Sequence, residues 1–274
     1  MARTPRRAAR IRSALAVLFL VAGAGLVAVL ADTATAAPEV NPDQILRGRQ
    51  LVIQIGCGDC HGGGSNPAAE GWLAGMTTPA MEFRIGPCGD GPDSPCFRTR
   101  PRNLTPHNTT GMGRFSERQI FNALRYGLRP GETADVEITS SVPGEGNFPE
   151  HPKYLAPPMP WPAWRHLPEE DLWAIAAYLK HGVAPAQNRV PDSEGPPDFW
   201  AGDYTVEEIG SYPSPAFPTP REVEPGAGVD RARVLRGRQA VIQHDCGGCH
   251  GGGSDPTAEN WLIGVTSPAG DFLI

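Results

Sequence analysis

Aromatic side chains are scarce, with Phe, Trp and Tyr making up 7% of the 274 residues. That is thin for a core built from side chains alone. Alternating runs of strand-forming residues are lacking as well, which excludes an extensive sheet and leaves an all-α class with long loops. Basic residues are outnumbered, 24 Lys and Arg against 30 Asp and Glu. A polyanionic nucleic-acid partner is therefore excluded, while an acidic chain can be steered toward a basic docking patch. Gly (33) and Pro (30) are plentiful instead, and they predict many turns and little long regular structure.

The N-terminus is one place where charge of a single sign collects. Arg3, Arg6, Arg7, Arg10 and Arg12 form a basic head, and Ala14 to Ala31 is an uncharged apolar run. Ala34-Thr35-Ala36 then offers small residues for cleavage. This is the layout of a secretory signal peptide over 1–36, and it predicts a periplasmic or other extracytoplasmic location. The alternative is an uncleaved membrane anchor, since the run is nearly long enough to span a bilayer. Without residues 1–36 the chain carries 19 basic and 29 acidic residues, a net charge of about −10.

The chain contains a duplication. Leu46-Arg47-Gly48-Arg49-Gln50 returns as Leu235-Arg236-Gly237-Arg238-Gln239. The correspondence runs through Cys57/Cys246, Cys60/Cys249, His61/His250 and Trp72/Trp261, with 27 identities in 40 aligned positions. Two tandem copies of one module follow. The first is expected over 43–182 and the start of a second over 230–274. Because the second copy reaches only the counterpart of Ile85, the sequence reads as a piece of a longer protein, with a natural half-module as the alternative. Residues 183–229 hold nine prolines and read as an extended connector. Phe199, Trp200, Tyr204 and Tyr212 are costly to leave in water, so part of it is expected to pack on the first module.

Three helices are expected in that module. Asp43 can cap one running toward Gly56. Ser116-Glu117-Arg118-Gln119 fits a capping box, with Gly127 as the stop. A third starts at Pro168, carries Glu169, Glu170 and Asp171 in its first turn, and ends at Gly182.

Between the first two lies Cys57-Gly58-Asp59-Cys60-His61. Residues i, i+3 and i+4 share a helix face. Two thiols so placed can reach the two vinyl groups of one haem while the imidazole binds its iron, and the spacing is a haem-attachment signature. A thiol–disulfide pair would call for a βαβ context. Half a zinc site would call for a second pair at ribbon spacing, which Cys88 and Cys96 do not provide. Two copies of the motif in an exported chain favour haem c, one at Cys57, Cys60 and His61 and one at Cys246, Cys249 and His250.

The second axial position has several candidates. Met159, within Pro157-Pro158-Met159-Pro160-Trp161, is favoured because the prolines stiffen its loop. Met112 is the next choice, and Met76 and Met81 read as wall or loop residues. His107, His151 and His166 are the histidine alternatives. A methionine packed in the core is the competing reading for each Met.

With these stretches, and with Arg102-Asn103-Leu104-Thr105-Pro106, Thr110-Gly111-Met112-Gly113-Arg114-Phe115 and the helix from Asp171 to Leu179, the module resembles class I-like cytochrome c domains. These occur in bacterial dihaem and trihaem electron-transfer proteins, including cytochrome subunits of dehydrogenases. The resemblance implies thioethers at Cys57 and Cys60, His61 proximal, Met159 distal, and a close helix crossing at Gly48 near Tyr178. Residues 84–101 and 129–155 depart from the pattern as insertions. In an oxidising compartment Cys88 and Cys96 of the first can pair as a disulfide, two free thiols being the alternative. The implied function is single-electron transfer rather than catalysis. The donor is a dehydrogenase or a quinol-oxidising complex, and the acceptor a downstream partner such as a terminal oxidase. A haem enzyme of the dihaem peroxidase type, with one open distal site, is the alternative.

Overall fold

The computed structural model describes residues 41–86, 88, 96–195, 198 and 200–266. The signal segment expected over 1–36 lies outside them. Among the described residues no helix is long and apolar enough to cross a membrane.

Helix α1 (Pro42–Gln54) starts two residues earlier than its sequence suggests. Asn41 caps it by accepting from the Asp43 amide at 3.0 Å, and Pro42 takes the first-turn position where no donor is missed. Asp43 therefore sits inside the first turn rather than capping it. A single turn, α2 (Cys57–His61), follows directly. Strands β1 (Phe83–Ile85) and β2 (Phe97–Thr99) pair antiparallel, with Arg84 opposite Arg98. This hairpin is absent from an all-α expectation. Three residues per strand are too few to show alternation, and pairing of the flanks is set by partners elsewhere in the chain. Arg100 reaches Glu82 at 3.0 Å, and Phe97 packs edge-on against Trp200.

Helix α3 (Glu117–Tyr126) has both halves of its capping box: Ser116 Oγ accepts from the Gln119 amide and Gln119 Oε1 from the Ser116 amide. Gly127 ends it in the left-handed region. A short α4 (Trp161–Trp164) leads into α5 (Glu169–Ala177), which Pro168 precedes and a π turn over Tyr178–Gly182 extends. Helix α1 crosses α5 so closely that a Cβ on Gly48 would lie 1.9 Å from the Ala174 carbonyl oxygen. Arg47 then grips Asp171 through two bonds of 2.7 Å. Leu51, Val52, Ile120, Leu124, Leu172 and Ile175 fill the space among α1, α3 and α5. Each such side chain contributes about 1.5–3 kcal/mol on burial.

Beyond the first module, the connector is anchored rather than free. Trp200 is buried, Tyr204 donates to the Leu155 carbonyl at 3.1 Å, and Tyr212 lies beside His166. Phe199 is outside the described residues. The connector holds α6 (Val206–Ile209), and then α7 (Arg231–Gln243) and α8 (Cys246–His250) repeat α1 and α2. The copies match in detail. Leu262 N donates to Gly251 O at 2.9 Å as Leu73 N does to Gly62 O, and Gly264 N donates to His250 O at 2.8 Å as Gly75 N does to His61 O. Helix α7 rests on the stretch from α4 to α5, where Gln239 and Gln243 both donate to the His166 carbonyl. Ser254 Oγ donates to Pro162 O at 3.3 Å.

Candidate haem centre

Gly56, at φ 71°, turns the chain from α1 into α2 and presents Cys57, Cys60 and His61 on one helical turn. Both thiols are unbonded. Cys57 is buried in the same core as Leu51 and Leu172, and burial pushes its thiol up to about 12. Burial raises Cys60 too, with the nearby Asp59 carboxylate adding to it. A redox Cys-x-x-Cys pair needs a lowered thiol pKa. This environment does the opposite, so the pair is poorly suited to thiol–disulfide exchange.

His61 makes one decisive contact, Nδ1 to the Arg102 carbonyl oxygen at 2.6 Å. A carbonyl only accepts, so Nδ1 carries the proton and Nε2 keeps its lone pair. Burial lowers the His61 pKa while the Arg102 carbonyl opposes that shift, and the net lowering favours the neutral ring that metal ligation requires. Two unbonded thiols and an oriented imidazole on one turn form a donor set that fits covalent haem attachment. Nearby, Trp72 Nε1 donates to Tyr178 OH at 3.1 Å and ties the motif's loop to the end of α5.

The axial candidates separate by environment. Met159 stands in a turn closed by its own amide on Ala156 O at 2.9 Å, partly buried at the edge of the core that includes Cys57. Met112 is buried inside that core. Met76 packs on the loop after His61, where its Sδ would be 3.6 Å from a Cβ on Gly62. His107 Nδ1 serves its own turn by accepting from the Thr110 amide at 3.3 Å. His151 is exposed. His166 is buried with Nδ1 against Ser214 Oγ at 3.0 Å, and burial followed by the Arg165, Arg125 and Arg238 charges pushes it down to about 3.

In the second copy, Cys246 is half-buried while Cys249 and His250 are exposed. Cys88 and Cys96 are joined in a disulfide, with Cα atoms 4.6 Å apart, across the hairpin of the 84–101 insertion. Sequence reasoning missed the role of Arg102, although its pentapeptide was singled out. It also missed the stretch 186–194, whose bonds to that pentapeptide join residues more than 80 positions apart.

No family model matches the chain. It is 28% identical over 158 residues to the cytochrome c subunit of alcohol dehydrogenase (quinone) from Gluconacetobacter polyoxogenes, covering 57% of this chain and 28% of that protein. It is 29% identical over 246 residues to the gluconate 2-dehydrogenase cytochrome c subunit of Pantoea cypripedii, covering 85% and 43% respectively. To the fructose dehydrogenase cytochrome subunit of Gluconobacter japonicus it is 27% identical over 187 residues, covering 68% and 31%. The matches span less than half the length of each of these relatives. By sequence, the chain groups with the dehydrogenase-associated cytochrome c subunits.

Proposed function

We propose that this chain is an extracytoplasmic electron carrier that holds haem c covalently at Cys57 and Cys60, with His61 proximal and Met159 distal. A second haem is assigned to Cys246, Cys249 and His250. The observation that carries the reading is the pairing of two unbonded thiols with an imidazole whose Nδ1 is tied to Arg102 O at 2.6 Å. When bound, the haem supplies a one-electron couple. The chain's own residues do the rest. Cys57 and Cys60 fix the group, His61 is aimed by the Arg102 carbonyl, and Leu51, Trp72 and Leu172 belong to the apolar core beside the motif. Prolines 157, 158 and 160 limit the freedom of Met159. A filled axial position on each side suits electron transfer without substrate binding at iron.

The donor proposed is a dehydrogenase, because the relatives named above are subunits of alcohol, gluconate and fructose dehydrogenases. The acceptor proposed is a downstream redox protein. None of these relatives is a peroxidase, and no contact among the described residues favours that alternative. The modules over 43–182 and 230–274, with 183–229 between them, are the units in which we read this activity. Replacing Cys57 and Cys60 together by Ala tests the attachment. Covalent haem on denaturing gels falls by about half if both motifs are loaded. Unchanged covalent haem in that variant would refute attachment at the first motif.

A further inference from the structure

The first stretch of the connector reaches the haem motif from outside the module. Residues 186–194 run along the two loops that surround His61. One is 101–105, whose Arg102 carbonyl holds the imidazole. The other is 73–76, whose Gly75 amide donates to the His61 carbonyl at 2.8 Å.

The bonds are numerous and specific. Arg102 spreads its guanidinium over the stretch, with Nη1 to Pro191 O at 2.9 Å and Nη2 to Ser193 Oγ at 2.9 Å. Asn103 Nδ2 donates to Ala186 O at 2.8 Å. From the other side, Asn188 Nδ2 donates to Ala74 O at 2.8 Å and to Gly75 O at 3.1 Å. Thr105 Oγ1 accepts from the Ala186 amide at 3.0 Å. Val190 is buried against Gly75, where a Cβ would lie 2.7 Å from both Val190 Cγ2 and the Asn103 amide nitrogen. Gly75 is at φ 83°, so two demands fall on one residue. Farther on, Ser193 Oγ meets Thr99 Oγ1 at 2.9 Å, and Glu194 pairs with Arg98.

We propose that residues 186–194 act as a proximal strap, positioning His61 through the Arg102 carbonyl and thereby setting the potential of the first haem. The inference rests on the haem reading given above. A hydrogen bond donated by the non-ligating imidazole nitrogen makes the ring a more basic ligand. A more basic ligand favours the ferric state, so a firmly held carbonyl lowers the potential. Asn103, Asn188 and Ser193 are positioning residues, and so is Arg102 through its side chain. The connector thus joins two modules and also tunes one of them.

The test is a potentiometric titration of the full chain, matured with haem, as wild type and as the Asn188→Ala/Ser193→Ala variant. The component belonging to the first haem is the one lost in the Cys57→Ala/Cys60→Ala chain. The strap variant shifts this component toward the ferrous state by about threefold, roughly 30 mV upward for one electron. The ferric-state NMR resonance of the His61 Nδ1 proton moves with it. Ser211→Ala, in a half-buried part of the connector that makes no bond to the strap, moves neither. The single Ser193→Ala variant removes only the bonds to Arg102 and Thr99 and shifts the same component in the same direction, so a double variant that misfolds leaves the question decidable. An unchanged potential in a folded strap variant would overturn the proposal. So would a changed potential with an unmoved Nδ1 proton, because the effect would then bypass His61. Absence of any covalent haem from the wild-type chain would sink the haem reading itself, and is distinguishable from both.

Discussion

At the scale of single residues, the two methionines make opposite predictions. Met112 is buried in the core, so Met112→Ala is expected to cost about 2–5 kcal/mol of stability while leaving the first haem's potential in place. Met159 stands at the core's edge on a proline-stiffened turn. Met159→Ala is expected to cost little stability, lower the potential and open the iron to carbon monoxide. Urea unfolding together with redox titration separates the two, and an exchange of their effects would move the distal role to Met112. Gly48 was legible from sequence only through a resemblance. Its physical reason is now plain, since a Cβ would sit 1.9 Å from the Ala174 carbonyl. Gly48→Ala is therefore expected to push α1 off α5 at a cost of about 1–3 kcal/mol or more, read as a lower unfolding midpoint. A midpoint unchanged from wild type would mean that the helices separate freely.

Among the elements, those with local rules were the ones the sequence disclosed. The capping box at Ser116, the left-handed stop at Gly127 and the acidic first turn of α5 each depend on neighbours within a few residues. The cap of α1 was misplaced by two residues because both Asn41 and Asp43 suit the role, and Pro42 decides between them. What stayed hidden was non-local. The β1–β2 hairpin is braced by the Cys88–Cys96 disulfide, by Glu194 and by Trp200, none of which a three-residue strand can announce. The 186–194 strap was hidden for the same reason, because its bonds join side chains to backbone across long separations. Cys88→Ser with Cys96→Ser reopens a short loop, and the loss expected from loop length alone is about 2–3 kcal/mol. Thermal unfolding with and without a reductant checks this. Equal midpoints would mean that the hairpin is held by its other contacts.

At the scale of the whole molecule, the second copy is fastened to the first at His166. Its carbonyl accepts from Gln239 and Gln243, and its ring lies among Arg125, Arg165 and Arg238 with Asp255 the opposing charge. An unfolded histidine titrates near 6.5, whereas this ring stays neutral down to about 3. As pH falls below 6.5 the unfolded chain takes up this proton first. The contribution is complete above pH 6.5 and is lost on the way down to about 3, at up to about 1.4 kcal/mol per pH unit. His166→Gln is expected to flatten that part of the stability profile. A profile unchanged by the substitution would assign the acid sensitivity to other groups.

The repeated Cys-x-x-Cys-His spacing and the helix-rich class were visible in the sequence, because they lie in spacing and periodicity. The burial of Cys57 and the carbonyl that aims His61 were not, because they depend on where distant loops return. The central claim is a covalently bound, axially closed haem at the first motif. It is tested most directly by difference spectra of the full chain carrying Cys246→Ala and Cys249→Ala, matured with haem and recorded in both redox states with and without carbon monoxide. The account predicts a c-type spectrum that survives denaturation and that carbon monoxide leaves unchanged. A chain without covalent haem, or one whose ferrous spectrum shifts at once on adding carbon monoxide, would contradict it.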